Sequence, residues 1–309
     1  MGTIAHSTME TDLRLAAALD QEVRILLTDM HAMRTVPGAI VDCGSVNGTG
    51  SDTKRVRFAG LDGYDAMTAA GEADVSNTSL TDASADIAVA RIALRYDLLD
   101  LAAFTGVGPN DINIDRLAGS MAGAAEQGFN ILLANVIDDW TTDAVDSSNA
   151  MTADDFYDGT YQLELNSVPG PWFSALHPRQ HTHLRNSLRS EVGPAQYMEA
   201  TQEQLTLKGQ GFQGNFLNVG IYNMSDIITT SSKKQGAIWG QGALGYAYGN
   251  PTVPMGAGSE VRRIPGNQSV FVEIERDASG GLSEIVGNSY IGVAIIEQAR
   301  GYGLNTSST

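Results

Sequence analysis

Val270-Phe271-Val272-Glu273-Ile274-Glu275-Arg276-Asp277, then Ser279-Gly280-Gly281, then Ile285-Val286-Gly287-Asn288-Ser289-Tyr290-Ile291-Gly292-Val293-Ala294-Ile295-Ile296 is the stretch that decides the fold. Val270, Val272 and Ile274 alternate with Phe271, Glu273 and Glu275, the two-residue period of a half-buried strand. Asp277, Ser279, Gly280 and Gly281 supply turn chemistry, because Gly tolerates positive φ and Asp and Ser bond to nearby backbone. From Tyr290 to Ile296 both faces are apolar or small, which predicts a second strand, covered on both sides, that ends the protein. A terminus of this kind is tied into the main body.

Working outward, 309 residues with 42% hydrophobic content suffice for one large domain or two modest ones with a packed core. The net charge of −17 opposes any role that tracks phosphates or anionic membranes. An acidic wall around a packaged nucleic acid is a different case, since weak repulsion lets the polymer slide. One cysteine, Cys43, excludes an intramolecular disulfide and any all-cysteine metal site, and an inert thiol is expected. No apolar run reaches the roughly 18 residues that span a bilayer. Met1–His6 lack the order of a signal peptide, so cytosolic synthesis is expected.

Upstream, Asp111–Asp139 carries Ile114, Leu117, Met121, Ala125, Gly128, Leu132 and Val136 in steps of three or four, which predicts a long helix. Gly119, Gly123 and Gly128 each cost about 1 kcal/mol in a helix interior, so a close neighbour is expected against that face. Met9–Met33 has helical spacing. Lys54-Arg55-Val56-Arg57-Phe58 and Ser84–Tyr96 alternate as strands, with a Gly-rich excursion between them. Two such strands suggest an extended arm, and isolated hairpins are marginal in water, so a neighbouring subunit is expected to support it. Thr152 caps a helix opened by Asp154 and Asp155. Trp172–His177 predicts a buried strand stopped by Pro178, and Arg179–Ser190 a helix. Lys208–Asp226 alternates and is Gly-rich, Gly236–Tyr248 predicts a strand followed by a helix, and Val261–Ile264 leads back to the terminal strands.

Candidate chemistry is sparse. His177 and His181 have zinc-like spacing and His183 lies close by, but the Glu of a His-Glu-x-x-His string is missing and Pro178 separates His177 from the helix. Solvated or capping histidines are the default. Asp138-Asp139 and Asp154-Asp155 are adjacent acids of the kind found at helix ends. Gly209–Gly214 matches Gly-x-Gly-x-x-Gly but continues as strand, against the dinucleotide fingerprint. No catalytic, cofactor-binding or metal residue is assigned, and an extended arm with a close-packed long helix favours interlocking subunits.

In order, these elements resemble the Hong Kong 97-like major capsid proteins of tailed bacteriophages, an α+β fold. The residues that carry the resemblance are Ala175-Leu176-His177-Pro178-Arg179-Gln180 before a Leu184-containing helix, Phe212-Gln213-Gly214-Asn215 leading to Tyr222–Asp226, and Gly292-Val293-Ala294. The resemblance implies an N-terminal arm over 1–42, an E-loop over 43–85, and a peripheral domain over 86–150 with its spine helix at 111–139. It further implies an axial domain over 151–264 and return strands of the peripheral domain over 265–309. Expected partners are further copies of the chain in pentamers and hexamers closing an icosahedral shell around double-stranded DNA touched non-specifically. Scaffolding, portal and decoration proteins complete the set, with assembly in the host cytoplasm and residence in the virion.

Some family members cross-link an E-loop Lys to a neighbour's Asn. Lys54 is the one lysine of that segment and no local motif marks an Asn or a Glu base, so an ordinary ion pair is expected. The face formed by Lys54, Arg55 and Arg57 is expected to meet an acidic neighbour near Asp138 and Asp139. Encapsulin nanocompartments share the fold and are the alternative. A metal-dependent enzyme using His177, His181 and His183 comes next, and a surface adhesin last.

Overall fold

The structure, a computed structural model, describes residues 36–59, 82–99, 114–141, 149–191, 198–199, 212–227, 229–230, 233–249, 262–264, 271–277, 279 and 282–307. The helix expected at Met9–Met33 lies outside them. In chain order come β1 (Val41–Ser45), β2 (Thr53–Ala59), β3 (Asp82–Ala88), β4 (Ala90–Leu99) and α1 (Ile114–Ile137). Next are α2 (Ala153–Leu165), β5 (Trp172–Leu176), α3 (Pro178–Glu191), β6 (Met198–Glu199), β7 (Phe212–Phe216) and β8 (Val219–Asn223). Then follow β9 (Thr229–Thr230), β10 (Lys233–Gly240), β11 (Leu244–Tyr248), β12 (Arg262–Ile264), β13 (Phe271–Asp277), β14 (Leu282–Ile295) and β15 (Gly301–Ser307).

The deciding stretch folds as its alternation predicts. β13 and β14 pair antiparallel from Phe271↔Asn288 to Asp277↔Leu282. At 14 residues β14 is long enough to organise a whole sheet. β4 runs along it from Leu282↔Leu99 to Ile291↔Ala90. Ile291 also pairs with Tyr248 of β11, so β4 and β11 hold opposite edges. β1 joins β11 in parallel and β12 closes the far side of β13. Ile291, Gly292 and Ile296 are buried, whereas Val293–Ile295 are half-buried, so cover on both faces is partial.

The second sheet is ordered β15-β10-β5-β8-β7-β6. Its two faces follow the strand period of two. Phe173, Ala175, Ala237 and Trp239 enter one cluster with Phe129, Leu133 and Ile137 of α1 and with Leu244 and Ile291 of the first sheet. Leu176, Ile221, Ile238 and Leu304 enter the other with Phe156 and Leu163 of α2 and Leu184 and Leu188 of α3. One apolar stripe of α1 therefore bonds both sheets, and α2 and α3 cover the outer face of the second. The close approach expected on α1 is real: a Cβ on Gly128 would lie 2.9 Å from Cγ2 of Ile92. Thr152 caps α2 in a reciprocal box with Asp155.

Three expectations are corrected. Gly236–Tyr248 is not strand then helix but two strands, β10 and β11, joined at Gly242, whose φ of 82° places it in the left-handed region. Four glycines over that run make a helix costly, while Ala237, Ile238 and Trp239 are each fully buried in a sheet. The second feature concerns the terminus. β14 does not end the protein; after the Gln298–Arg300 turn, β15 pairs with β10 from Trp239↔Gly301 to Lys233↔Ser307, so the last strand of the 265–309 segment belongs to the second sheet. Third, the Ser84–Tyr96 alternation is broken at Val89, whose N–H donates to the Asp52 carbonyl at 2.9 Å.

Candidate assembly site: the hairpin, its root and the sheet junction

Strands β2 and β3 form a two-stranded sheet of their own, from Thr53↔Ala88 to Ala59↔Asp82. Strand pleating puts Arg55 and Arg57 on one face and Lys54, Val56 and Phe58 on the other. The expected Lys54-Arg55-Arg57 face is thus divided: Arg55 and Arg57 are exposed and Lys54 is half-buried. The Lys54 Nζ donates to the Ser45 carbonyl at 3.3 Å. Arg55 faces Asp86 across the ladder and grips it with two hydrogen bonds of 2.8 Å, Nε to Oδ1 and Nη2 to Oδ2. Hydrogen bonding from Arg55 holds the Asp86 carboxyl below the usual carboxylate range.

At the hairpin root, Gly292 of β14 has no room for a side chain because the Ala88 carbonyl sits over its Cα. Val89, held by Asp52, turns the chain from the hairpin into β4. The direction in which the hairpin leaves the sheet is set there.

Asp138 and Asp139 follow the last turn of α1, where orphan carbonyls already make the helix end negative. No basic residue occupies that last turn. Burial, and then the Asp139 charge, push the Asp138 carboxyl up. Beside them the Gln298–Arg300 turn ties several elements together. Gln298 Nε2 donates to the Asp139 carbonyl at 3.2 Å, and its Oε1 accepts from the Thr141 N–H at 3.2 Å. Asn166, past the end of α2, donates to the Ala299 carbonyl at 2.8 Å. Arg300 pairs with Glu297 and donates to the Gln241 carbonyl of the β10–β11 turn. Trp140 covers Gly301. The bonds from Gln298 to Asp139 and from Arg300 to Gln241 carried no sequence signal, since those partners lie 159 and 59 residues away.

His177 Nδ1 accepts from the Arg179 N–H at 3.1 Å as a helix cap, and His181 is buried at 4% exposure. Burial, followed by Lys234 for His177 and Arg179 for His183, pushes both imidazoles down. Among the described residues no three His, Cys, Asp or Glu side chains form a group able to hold a metal. Burial raises the Cys43 thiol, which suits an inert role. Among the described residues no helix is long and apolar enough to cross a membrane.

Solved structures share this architecture over nearly the whole chain. The capsid of Ralstonia phage GP4 aligns with a TM-score of 0.63 at 12% identity, covering 91% of this chain and 92% of that one. A structure from Mycobacterium phage Che8 gives 0.59 at 15% identity, covering 89% and 91%. The SrpI encapsulin complex of Synechococcus elongatus gives 0.54 at 14% identity, covering 89% and 87%. No protein-family model and no curated protein matches the sequence. The chain therefore has the phage-capsid fold, mixed helix and sheet, that its sequence resembles.

Proposed function

We propose that the chain is the major capsid protein of a tailed bacteriophage. It is a structural subunit, not an enzyme, that closes into an icosahedral shell of pentamers and hexamers around double-stranded DNA. The observation that carries this is the hairpin β2–β3, whose strands pair only with each other among the described residues. A two-stranded ribbon is marginal alone, so a neighbouring copy is its natural support. The domain division follows: arm 1–42, E-loop 43–85, peripheral 86–150 and 265–309, axial 151–264, with β15 lent to the axial sheet. Arg57, beside Arg55 with its hydrogen bonds to Asp86 and with Lys54 at the root, meets the acidic end of the spine helix, Asp138 and Asp139, on the next subunit. Two carboxylates at the negative end of a helix are unfavourable alone and gain from a cation supplied from outside. Charge matching of this kind fixes register more than affinity. Scaffolding, portal and decoration proteins are the further partners, and the virion is the location, reached by assembly in the host cytoplasm.

The test is negative-stain microscopy and sedimentation of the purified chain, beside the double reversal Arg55→Glu, Arg57→Glu. Rings or shells from the parent chain and folded, unassembled subunits from the variant are expected. A discrete monomer under all conditions would end the capsid proposal, and normal particles from the variant would end the contact proposal alone. The likeness to an encapsulin supports a second reading, a nanocompartment shell. Protein cargo inside the particles, in place of nucleic acid, would favour it.

A further inference from the structure

On the side of the second sheet away from α1, helix α2, the start of β5 and the β7–β8 turn enclose an open groove of about 560 Å³. Tyr157 and Tyr161, one turn apart on α2, and Trp172 on β5 give it three aromatic walls. Two of these are held in place. Tyr157 meets Phe216 edge-on at 5.6 Å between ring centres, and the Trp172 indole N–H donates to the Val168 carbonyl at 3.1 Å. Tyr161 is 58% exposed, and its neighbour Leu165 is 62% exposed. The remaining side is the two-residue turn Leu217-Asn218, both at positive φ (51° and 62°). That turn type ordinarily takes Asn or Gly first, so a bulky Leu in the left-handed region, lining a groove, is a local rule broken at an open surface.

Charge identifies the occupant. Asp158 and Glu164 line the groove and no cation lines it among the described residues. Aromatic faces are electron-rich, and a guanidinium stacks flat on them while its N–H groups reach carboxylates. This chain carries 36 acidic side chains against 19 basic ones, so a basic protein is the richer source of a segment that matches the groove. We propose that this groove docks an arginine-bearing extended segment of a different, basic protein. The docking needs only the folded subunit, so it stands or falls apart from shell formation.

The experiment titrates the full chain with a fluorescein-labelled Gly-Arg repeat heptapeptide, with a Gly-Glu heptapeptide as counterpart, read by anisotropy and by tryptophan emission. Trp140 and Trp239 are buried, so an emission change reports Trp172. Saturable binding of the Arg peptide alone is expected, weakening as salt is raised. Asp158→Asn with Glu164→Gln, and separately Tyr161→Ala, should each raise Kd about tenfold. Asp154→Asn removes one negative charge from an exposed position of α2 outside the groove and should leave Kd within about twofold. Circular dichroism verifies that each variant is folded, and Trp172→Phe should abolish the emission change while binding persists. Absence of saturable binding overturns the proposal, as does equal weakening by Asp154→Asn. It is also overturned if Tyr161→Ala alters self-association in sedimentation without altering peptide binding, which would identify a second copy as the occupant.

Discussion

The carbonyl of Ala88 occupies the space that a Cβ on Gly292 would need. One glycine in the central strand of the first sheet thereby fixes where the β2–β3 hairpin begins and in which direction it departs. Because the obstacle is backbone, it cannot rotate aside as a side chain would. Gly292→Ala must displace the root or the strand, and overpacking of this kind costs about 1–3 kcal/mol. A lower urea midpoint is expected, with particles lost or misshapen in micrographs before the subunit itself unfolds. An unchanged midpoint and normal particles would show the root to be slack.

Asp138 carries a carboxyl pushed up by burial and by Asp139. The native state then holds its proton to a higher pH than the unfolded chain does. Its contribution to stability is fullest below the unfolded carboxylate range and is lost as pH rises through the folded value. Asp138→Asn should stabilise isolated subunits at neutral pH by about 0.3–1 kcal/mol, the usual worth of charge at a helix end. It should also flatten this part of the pH dependence of thermal melting. A drop in stability on the same change would mean that Asp138 already has a cationic partner within the subunit.

Thr152 and Asp155 each satisfy a backbone N–H of the other at the start of α2, and Asp155 Oδ2 lies 2.8 Å from both the backbone N and the Oγ1 of Thr152. Thr152→Ala should cost about 1 kcal/mol. Thr152→Ser should cost less, and the pair Thr152→Ala, Asp155→Ala should cost less than the sum of the singles, because the two bonds are reciprocal. Chemical denaturation of the three variants checks this.

His181 is 4% exposed, so His181→Ala should lower the melting temperature through lost packing and is expected to leave metal content unchanged. Elemental analysis of parent and variant decides. Stoichiometric zinc in the parent that disappears in the variant would revive the metal reading.

At Gly128 two effects compete. Alanine gains about 1 kcal/mol of helix propensity, but Ile92 stands 2.9 Å from the new Cβ. Since Ile92 is β-branched and stiff, crowding wins and Gly128→Ala is expected to destabilise. Adding Ile92→Ala should recover part of the helix gain, so the double-mutant cycle should show favourable coupling.

The elements with a strong local period were legible in the residues. The alternation around Ile274, the three-and-four stepping from Ile114 to Val136 and the Thr152 cap all have causes within a few neighbours, and all stand where those causes put them. What escaped has distant causes. Gly301–Ser307 has little alternation, and only pairing with Lys233–Trp239, some seventy residues earlier, makes it a strand. Gly236–Tyr248 is apolar on every side, so no periodicity distinguishes helix from buried strand. Of the candidate contact residues, Lys54 stands apart from Arg55 and Arg57 by the strand period of two, so the single basic face expected from their adjacency does not form. The Arg55–Asp86 grip was not legible, because it depends on a register 31 residues long. The aromatic groove was illegible for the same reason, since Tyr161, Trp172 and Leu217 share no local pattern.

The chain passes between the two sheets at the β10–β11 turn and again at Gln298–Arg300, and Arg300 Nη1 lies 3.0 Å from the Gln241 carbonyl, so the two passages run side by side. Tension applied to either layer is therefore shared by these two covalent threads, together with the run from β4 through α1 and α2 to β5. A single protease cut in one of them would leave the halves still fastened by the other, and the nicked subunit would migrate as one body until denatured.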